Sequence, residues 1–216
     1  MAYFVTKIPT KHLPADERRA ITVDAVVALA AHQNPHDITT SAIAKQMGVS
    51  QGALFKHFPS KDDILKAVME WVAERLLSRI DAAALHAPTP IAAIEAIFLA
   101  NIEFIVEHPG APRMMLGELQ RNGQTAPKQL VHTIITRYRK RLYRLLEDAK
   151  NKGEVDQQLD IETAITMFIG TIQGLVVQSL ITDDIQRIRH EAPRVLAIYL
   201  RGIGSKKWCY LQANAE

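Results

Sequence analysis

The chain has 216 residues, of which 48% are hydrophobic and 23% charged, so disordered and low-complexity classes are excluded as its main state. Its single cysteine, Cys209, excludes an internal disulfide framework and favours a reducing compartment. The net charge is only +3, and the segment from Met1 to Lys61 alone carries seven basic and four acidic residues. The whole basic excess therefore lies in the N-terminal part of the chain.

Neither a signal peptide nor a membrane span is predicted. Charged residues and a proline interrupt the first 13 residues, which leaves no apolar core for a signal sequence. The most apolar stretch, residues 161–180, is interrupted by Glu162, Gln173 and Gln178. We therefore expect a cytoplasmic protein without a membrane partner.

Apolar residues recur at helical spacing along nearly the whole chain, and no segment alternates as a surface strand does, which predicts an all-α fold. Pro14 should open a first helix that ends near His32. Glycine and proline residues punctuate the remainder into about nine helices in total. After the first helix, their predicted approximate bounds are 40–47, 51–57, a long helix beginning after Ser60, 91–107, 112–121, 127–151, 160–181 and 185–203, with Pro193 inside the last.

A domain boundary is predicted at the start of the long fourth helix. Ser60 and Asp63 have the spacing of a capping box, in which each side chain satisfies a free backbone N–H group of the other residue. The short helices before this point form a group of their own. We therefore predict a three-helix N-terminal domain, residues 1–60, and a helical C-terminal domain, residues 61–216.

The segment from Thr39 to Phe58 predicts two short helices that meet at a sharp corner. Gly48 supplies the positive φ that the turn requires, and Ser50 can cap the second helix. Ala44 is small where the second helix must cross closely. The spacing of Ala44, Gly48 and Leu54 fits the helix-turn-helix of DNA-binding proteins, although an ordinary helical corner has similar spacing.

The residues that surround this corner resemble the N-terminal signature of the tetracycline-repressor (TetR) family of bacterial transcriptional regulators. The matching residues are Thr39, Ile43, Ala44, Gly48, Val49, Ser50, Gly52, Leu54, His57, Phe58, Ser60, Lys61 and the apolar pair Ile64-Leu65. Phe55 departs from the signature, because family members usually have tyrosine there and phenylalanine lacks the hydroxyl that would bind a phosphate. The order of the predicted helices is also similar to that of the family.

The resemblance implies a double-stranded DNA partner and a role for each matching residue. Phosphate contacts are implied for Thr39 or Thr40, His57 and Lys61, and a position facing the major groove for Gln51, Gly52, Ala53 and Lys56. The chemistry agrees, because glutamine pairs with adenine and an alanine methyl group contacts thymine. His57 has an alternative role as a partly buried histidine bonded to a backbone carbonyl.

The last two long helices carry more apolar surface than one side of a small helical domain needs. In the family that the chain resembles, these helices pair across a two-fold axis, which implies a homodimer. The alternative is that this apolar surface forms only the core within a single chain. The predicted interface residues are Ile169, Gly170, Gly174, Val177, Leu196 and Leu200.

A ligand cavity between helices of the C-terminal domain is also predicted, for a largely apolar small-molecule effector. Asn101 falls on an apolar helix face, where its amide needs either a neighbouring helix or a ligand as partner. The candidate wall residues are Phe98, Asn101, Ile105, Met114, Met115, Leu119, Tyr138, Met167, Phe168 and Gln173.

The sequence contains no constellation that predicts catalysis, a cofactor or a metal site. His32 and His36 are four residues apart, but Pro35 breaks the helix that would align them. We therefore predict a ligand-responsive transcriptional repressor and not an enzyme. The alternative is a constitutive DNA-binding protein whose C-terminal domain only dimerises or binds a protein partner.

Overall fold

A computed structural model of the chain describes residues 14–204, which form nine α-helices, one short 3-10 helix and an isolated β-bridge. The prediction of an all-α protein with an N-terminal helix-turn-helix and a helical C-terminal part is confirmed. Cys209 and the segment before Pro14 lie outside the described residues. The elements are α1 (Ala15–His32), the 3-10 helix (Pro35–Asp37), α2 (Thr40–Met47), α3 (Gln51–Phe55), α4 (Lys61–Leu85), α5 (Pro90–Glu107), α6 (Gly110–Gln120), α7 (Ala126–Asn151), α8 (Ile161–Thr182) and α9 (Arg187–Ile203).

Pro112 and Pro193 both lie inside helices, the second as predicted. The sixth helix was predicted to begin at Pro112, but α6 already begins at Gly110. Proline is tolerated there because the N–H groups of a first turn have no partner within the helix. Pro193 lies further along, in the interior of α9, which continues to Ile203.

The first of two compact units comprises residues 14–73 and 108–131 of the described chain, so it differs from the predicted division after residue 60. Its core is formed by α1, α2, α3, the first half of α4 and α6, and α6 packs against α1. Fully buried apolar side chains hold these helices together. They include Val26, Ala30, Ile43, Leu54, Phe58, Ile64 and Met114.

The contact between α1 and α6 explains why α6 belongs to this unit. A Cβ atom on Gly110 would lie 2.0 Å from the carbonyl oxygen of Val27, so only glycine permits the observed approach of the two backbones. Arg113 then donates from Nη1 to the carbonyl oxygens of Ala30 and Ala31, at 3.4 and 3.1 Å. These carbonyls lie in the last turn of α1, where backbone acceptors lack helical partners.

The second unit comprises residues 74–107 and 132–204 of the described chain. Its helix α9 packs against both α5 and α8. The segment between α7 and α8 is tied to two other parts of the unit: Glu154 Oε2 accepts a hydrogen bond from the N–H group of Ile91 at 3.0 Å, and Val155 forms the isolated bridge with Gly204. Several arginine–carboxylate pairs also join its helices, namely Arg79–Glu107, Arg141–Asp81, Arg139–Glu162 and Arg189–Glu103.

Candidate functional site

The helix-turn-helix corner is built by α2 and α3 and the turn between them. Gly48 closes α2 with φ of 69°, a conformation that residues with a side chain rarely adopt. Thr39 Oγ1 accepts from the N–H of Ala42 at 3.1 Å, and Ser50 Oγ accepts from the N–H of Ala53 at 3.2 Å. Both helices therefore begin at a capped residue, which fixes the positions from which their first side chains project.

The face of α3 opposite the core presents the residues that the resemblance places at DNA. Leu54 is buried and holds α3 against the first unit, whereas Gln51 and Gly52 are exposed. Phe55 is 41% exposed, which is unusual for a large apolar ring. The remaining two members of the predicted set are the exposed Lys56, which follows the last residue of α3, and the half-buried Ala53.

Gln51 is not a free side chain. Its amide nitrogen Nε2 lies 2.6 Å from the hydroxyl oxygen of Thr40, at the start of α2. This hydrogen bond joins the two helices of the corner at their exposed ends. Thr40 itself is half-buried, while Thr39 is exposed and serves as the cap of α2.

His57 lies beside an arginine rather than a backbone carbonyl. Its Nε2 atom is 3.4 Å from Nη1 of Arg18, a residue of α1. Because arginine can only donate, the ring nitrogen accepts in this arrangement. The carbonyl partner proposed as an alternative from the sequence is thus replaced by a cationic side chain.

Arg18 and Arg19 are the residues of this region that the sequence analysis did not single out. Besides the contact of Arg18 with His57, the guanidinium carbon of Arg19 lies 4.9 Å from the ring centroid of Phe58. The available signal was the basic excess of the N-terminal segment, to which both arginines contribute. Charge alone did not indicate which side chains they contact.

Lys61 begins α4, next to the capping box. Asp63 N–H donates to Ser60 Oγ at 3.2 Å and Ser60 N–H donates to Asp63 Oδ2 at 3.0 Å, as predicted. Lys61 Nζ is 3.5 Å from the carbonyl oxygen of His36, so the ammonium group makes one weak contact. Its remaining hydrogens stay available to an anion.

The first turn of α4 is also tied to α6. Arg121 donates from Nη1 to Asp62 at 2.9 Å and to Glu118 at 3.1 Å. These hydrogen bonds raise the pKa of the Arg121 guanidinium, and the bond to Asp62 has the larger effect. Glu118 is buried, and Arg121 is its partner in this ion pair.

The ten predicted pocket residues are divided between the two units. Met114, Met115 and Leu119 belong to α6 of the first unit, and the others belong to the second. Met167 and Gln173 are exposed on α8, with Met167 at 56%, so the prediction that they line a buried cavity is wrong. The helical period turns both away from the buried face of α8.

The remaining predicted pocket residues of the second unit are buried, and three of them form an aromatic cluster around Phe168. The ring centroids of Phe98 and Tyr199 lie 5.2 and 5.6 Å from that of Phe168 in edge-to-face contacts, and that of Tyr138 lies at 6.3 Å. Asn101 Nδ2 donates to the Tyr138 hydroxyl at 3.1 Å, which joins α5 to α7. Burial raises the pKa of this hydroxyl, so it remains uncharged at neutral pH. Tyr199 is the cluster member that the sequence analysis missed.

The exposed face of α8 carries an apolar row that we call the α8 stripe: Met167, Gly170, Gly174, Val177 and Ile181. Its members are three and four residues apart, and Ile181 is 71% exposed. Of the other predicted interface residues, Ile169 and Leu200 are half-buried.

Leu196 is a correction to the predicted dimer interface. This residue is buried within the protomer, on the face of α9 that packs against the core, so it is not available to a second chain. Ile198, two residues later, is 63% exposed instead.

Within residues 14–204, α8 is also the one helix that is long and apolar enough to cross a membrane by length and composition. A core helix passes the same test. Here one side of α8 carries buried residues such as Ile165, Phe168 and Ile172, and the other side carries the α8 stripe.

Comparisons with known proteins match both parts of the chain. Residues 23–68 match the model "Bacterial regulatory proteins, tetR family", and residues 120–193 match "Tetracyclin repressor-like, C-terminal domain". Over 199 residues the chain is 24% identical to the nucleoid occlusion factor SlmA of Marinomonas sp. (strain MWYL1), covering 92% of this chain and 95% of that protein.

Two solved structures share the fold. The ketosteroid transcriptional regulator KstR2 of Mycobacterium tuberculosis has a TM-score of 0.72 at 20% identity, covering 88% of this chain and 96% of its own. The transcriptional regulator FadR of Bacillus subtilis, solved in complex with stearoyl-CoA, has a TM-score of 0.71 at 23% identity, covering 85% and 98%.

Proposed function

Since the chain belongs to the TetR family and is a DNA-binding transcriptional regulator, we propose that it is a repressor that binds palindromic operator DNA as a homodimer and is released by a small-molecule effector. The observation that carries this proposal is the exposed end of the helix-turn-helix. There Gln51 and Gly52 of α3 and the adjoining Lys56 are exposed, while Leu54 packs the inner side of α3 against the core. A regulator of this kind acts where the chromosome is, in the cytoplasm.

The proposed contacts divide into two chemical kinds. Thr39, Thr40 and Lys61 lie at helix starts, where free N–H groups and a cation favour phosphate, and the Arg18–His57 pair adds a second cation in the first unit. Gln51 and Lys56 offer hydrogen-bond donors to base edges, and Ala53 offers apolar contact to a thymine methyl group. Gly52 lets the backbone of α3 approach the DNA closely.

The α8 stripe supports the homodimer. It is apolar, exposed and continuous over four turns, and its two glycines have no heavy atom within 4 Å of where a Cβ would lie. Surfaces of this type are typical of protein interfaces. A palindromic operator requires two copies of α3, and the dimer supplies them.

An effector site is proposed at the aromatic cluster around Phe168. An apolar ligand would enter by separating these rings, and it would find the Asn101–Tyr138 pair as its polar group. FadR, one of the proteins of similar fold, was solved with a fatty acyl-CoA, which favours long apolar ligands in the first screen. The contacts of α6 with α1 and α4 within the first unit supply a route by which a shift of α6 would disturb the DNA-binding helices.

The second candidate function is constitutive DNA binding with a protein partner at the C-terminal unit. The relative of 24% identity over most of the chain is named as a nucleoid occlusion factor, not as a transcription repressor, and this favours keeping the alternative. The two functions differ in one property. A small molecule that releases the bound operator supports the first, and stable binding across an acyl-CoA and general metabolite screen supports the second.

The primary test is DNA binding by purified protein after selection of an operator from random duplexes. Lys61→Ala should weaken binding to the operator and to scrambled DNA alike and lower the salt slope by about one per protomer, because one phosphate contact is lost. Lys56→Ala should instead cost about 1–3 kcal/mol on the operator and less on scrambled DNA, because it removes a base contact. Both are measured by titration at several salt concentrations.

Lys66→Ala is the matched control for this experiment. Lys66 lies on α4 like Lys61, but it is paired with Glu70 at 3.3 Å and should not affect DNA binding. A change of sequence preference with Lys61→Ala, together with an unchanged preference for Lys56→Ala, would reverse the two assignments. Selection of no duplex by the unmodified protein would refute the proposed function.

A further inference from the structure

The hydrogen bond between Gln51 and Thr40 distinguishes this corner from a surface with freely moving side chains. Gln51 is the first residue of α3 and is exposed, so nothing in the core fixes its conformation. The 2.6 Å contact of its Nε2 with Thr40 Oγ1 does so, across eleven residues of sequence. Both partners sit one residue after a capped helix start, at Thr39 and Ser50, which holds their backbones in place.

We propose that Thr40 is a positioning residue that orients Gln51 for recognition of an adenine in each half-site. The proposal rests on the DNA-binding function proposed above and adds to it the base that is read and the residue that sets the reading. A primary amide carries two N–H groups, and the bond to Thr40 uses one of them. The second N–H and the carbonyl oxygen remain, and together they match the N7 acceptor and N6 donor of adenine in the major groove.

The Thr40 hydroxyl has a second use in the same arrangement. It accepts from Gln51 through a lone pair, so its own hydrogen is free to donate. A phosphate oxygen is the acceptor that DNA places beside the start of such a helix. The Thr40 hydroxyl then links a contact with the DNA phosphate to the recognition of a base by Gln51. The Gln51 side chain is already ordered before DNA binds, so it loses less conformational entropy on binding.

The test is a double-mutant cycle with the selected operator and with duplexes changed at each base pair of the half-site. The variants are Thr40→Val, which keeps the shape and removes the hydroxyl, Gln51→Ala, the double variant, and Thr40→Ser as the rescue. We expect the unmodified protein to prefer adenine at one position by about fivefold to 150-fold, and Gln51→Ala to lose that preference. Thr40→Val should lose most of it, and Thr40→Ser should restore it.

The cycle separates positioning from a plain phosphate contact. In the Gln51→Ala background, Thr40→Val should lower affinity for all duplexes equally and change no base preference, because there is no longer an amide to orient. Unfolding midpoints of all four variants, which should agree, show that the fold is intact.

Two results would overturn the proposal in different ways. If the unmodified protein selects an operator and Thr40→Val retains the same adenine preference, the positioning role is refuted and the DNA-binding function stands. If the unmodified protein selects no sequence at all, both are refuted.

Discussion

Replacing Gly174 by arginine is expected to convert the homodimer to monomers and to lower affinity for a two-half-site operator by about 10²–10⁴-fold, because the second half-site is then no longer bound intramolecularly. Gly174 is exposed within the protomer, and nothing lies within 4 Å of where its Cβ would be. The protomer therefore accommodates the larger residue. In the proposed dimer, the same residue would bury a charge without a partner along the α8 stripe, which is strongly unfavourable.

Light scattering and operator titration measure the two halves of this prediction. Ser78→Arg is the matched control, since it adds the same side chain at an exposed position of another helix, α4, and should leave the dimer intact. Affinity for a single half-site should change little in either variant. A Gly174→Arg protein that remains dimeric and binds the full operator normally would place the interface away from the α8 stripe.

Gly110→Ala is expected to destabilise the first unit by about 3 kcal/mol, at the upper end of the range for overpacked cores. The added Cβ would lie 2.0 Å from the carbonyl oxygen of Val27 and 3.1 Å from Cβ of Ala30. The first of these is a backbone atom that cannot rotate aside, so α1 and α6 must separate. Chemical denaturation followed by circular dichroism measures the loss.

Gly117→Ala provides the control within the same helix. The nearest atom to a Cβ there is Cβ of Pro35 at 3.4 Å, an ordinary contact distance. Since alanine is also favoured over glycine in a helix interior by up to about 1 kcal/mol, this variant should be as stable as the unmodified protein or slightly more so. Equal stability of Gly110→Ala and Gly117→Ala would mean that the approach of α1 and α6 is looser than the structure indicates.

Local features of the fold were predictable because they depend on residues that are neighbours in sequence. The positive φ of Gly48 and the reciprocal bonds of Ser60 and Asp63 follow from turn and cap chemistry that acts over a few residues. The corner that carries the DNA-binding residues is built from such features. Its fold and general role were therefore accessible from the sequence.

Features that depend on contacts between residues far apart in the sequence could not be predicted from the sequence. Met167 was predicted on the wrong side of α8 because α8 is apolar around most of its circumference and its sequence does not mark a buried side. Leu196 was predicted on the wrong side of α9 because that helix has apolar residues, such as Ile198, on its exposed side as well. The partner of Gln51 lies eleven residues away and that of Arg18 lies 39 residues away. Neither pairing leaves a periodic signal.

The assignment of α6 to the first unit bears on how such regulators are recombined, in evolution or in the laboratory. The unit is discontinuous in sequence, with residues 74–107 inserted between its two parts. A hybrid made by a single crossover after residue 60 would keep Val27 but bring a foreign helix against it, and only a helix with glycine at the equivalent position would fit. Operator specificity is therefore best transplanted by grafting the exposed side chains of α2 and α3, leaving both halves of the unit in their original chain.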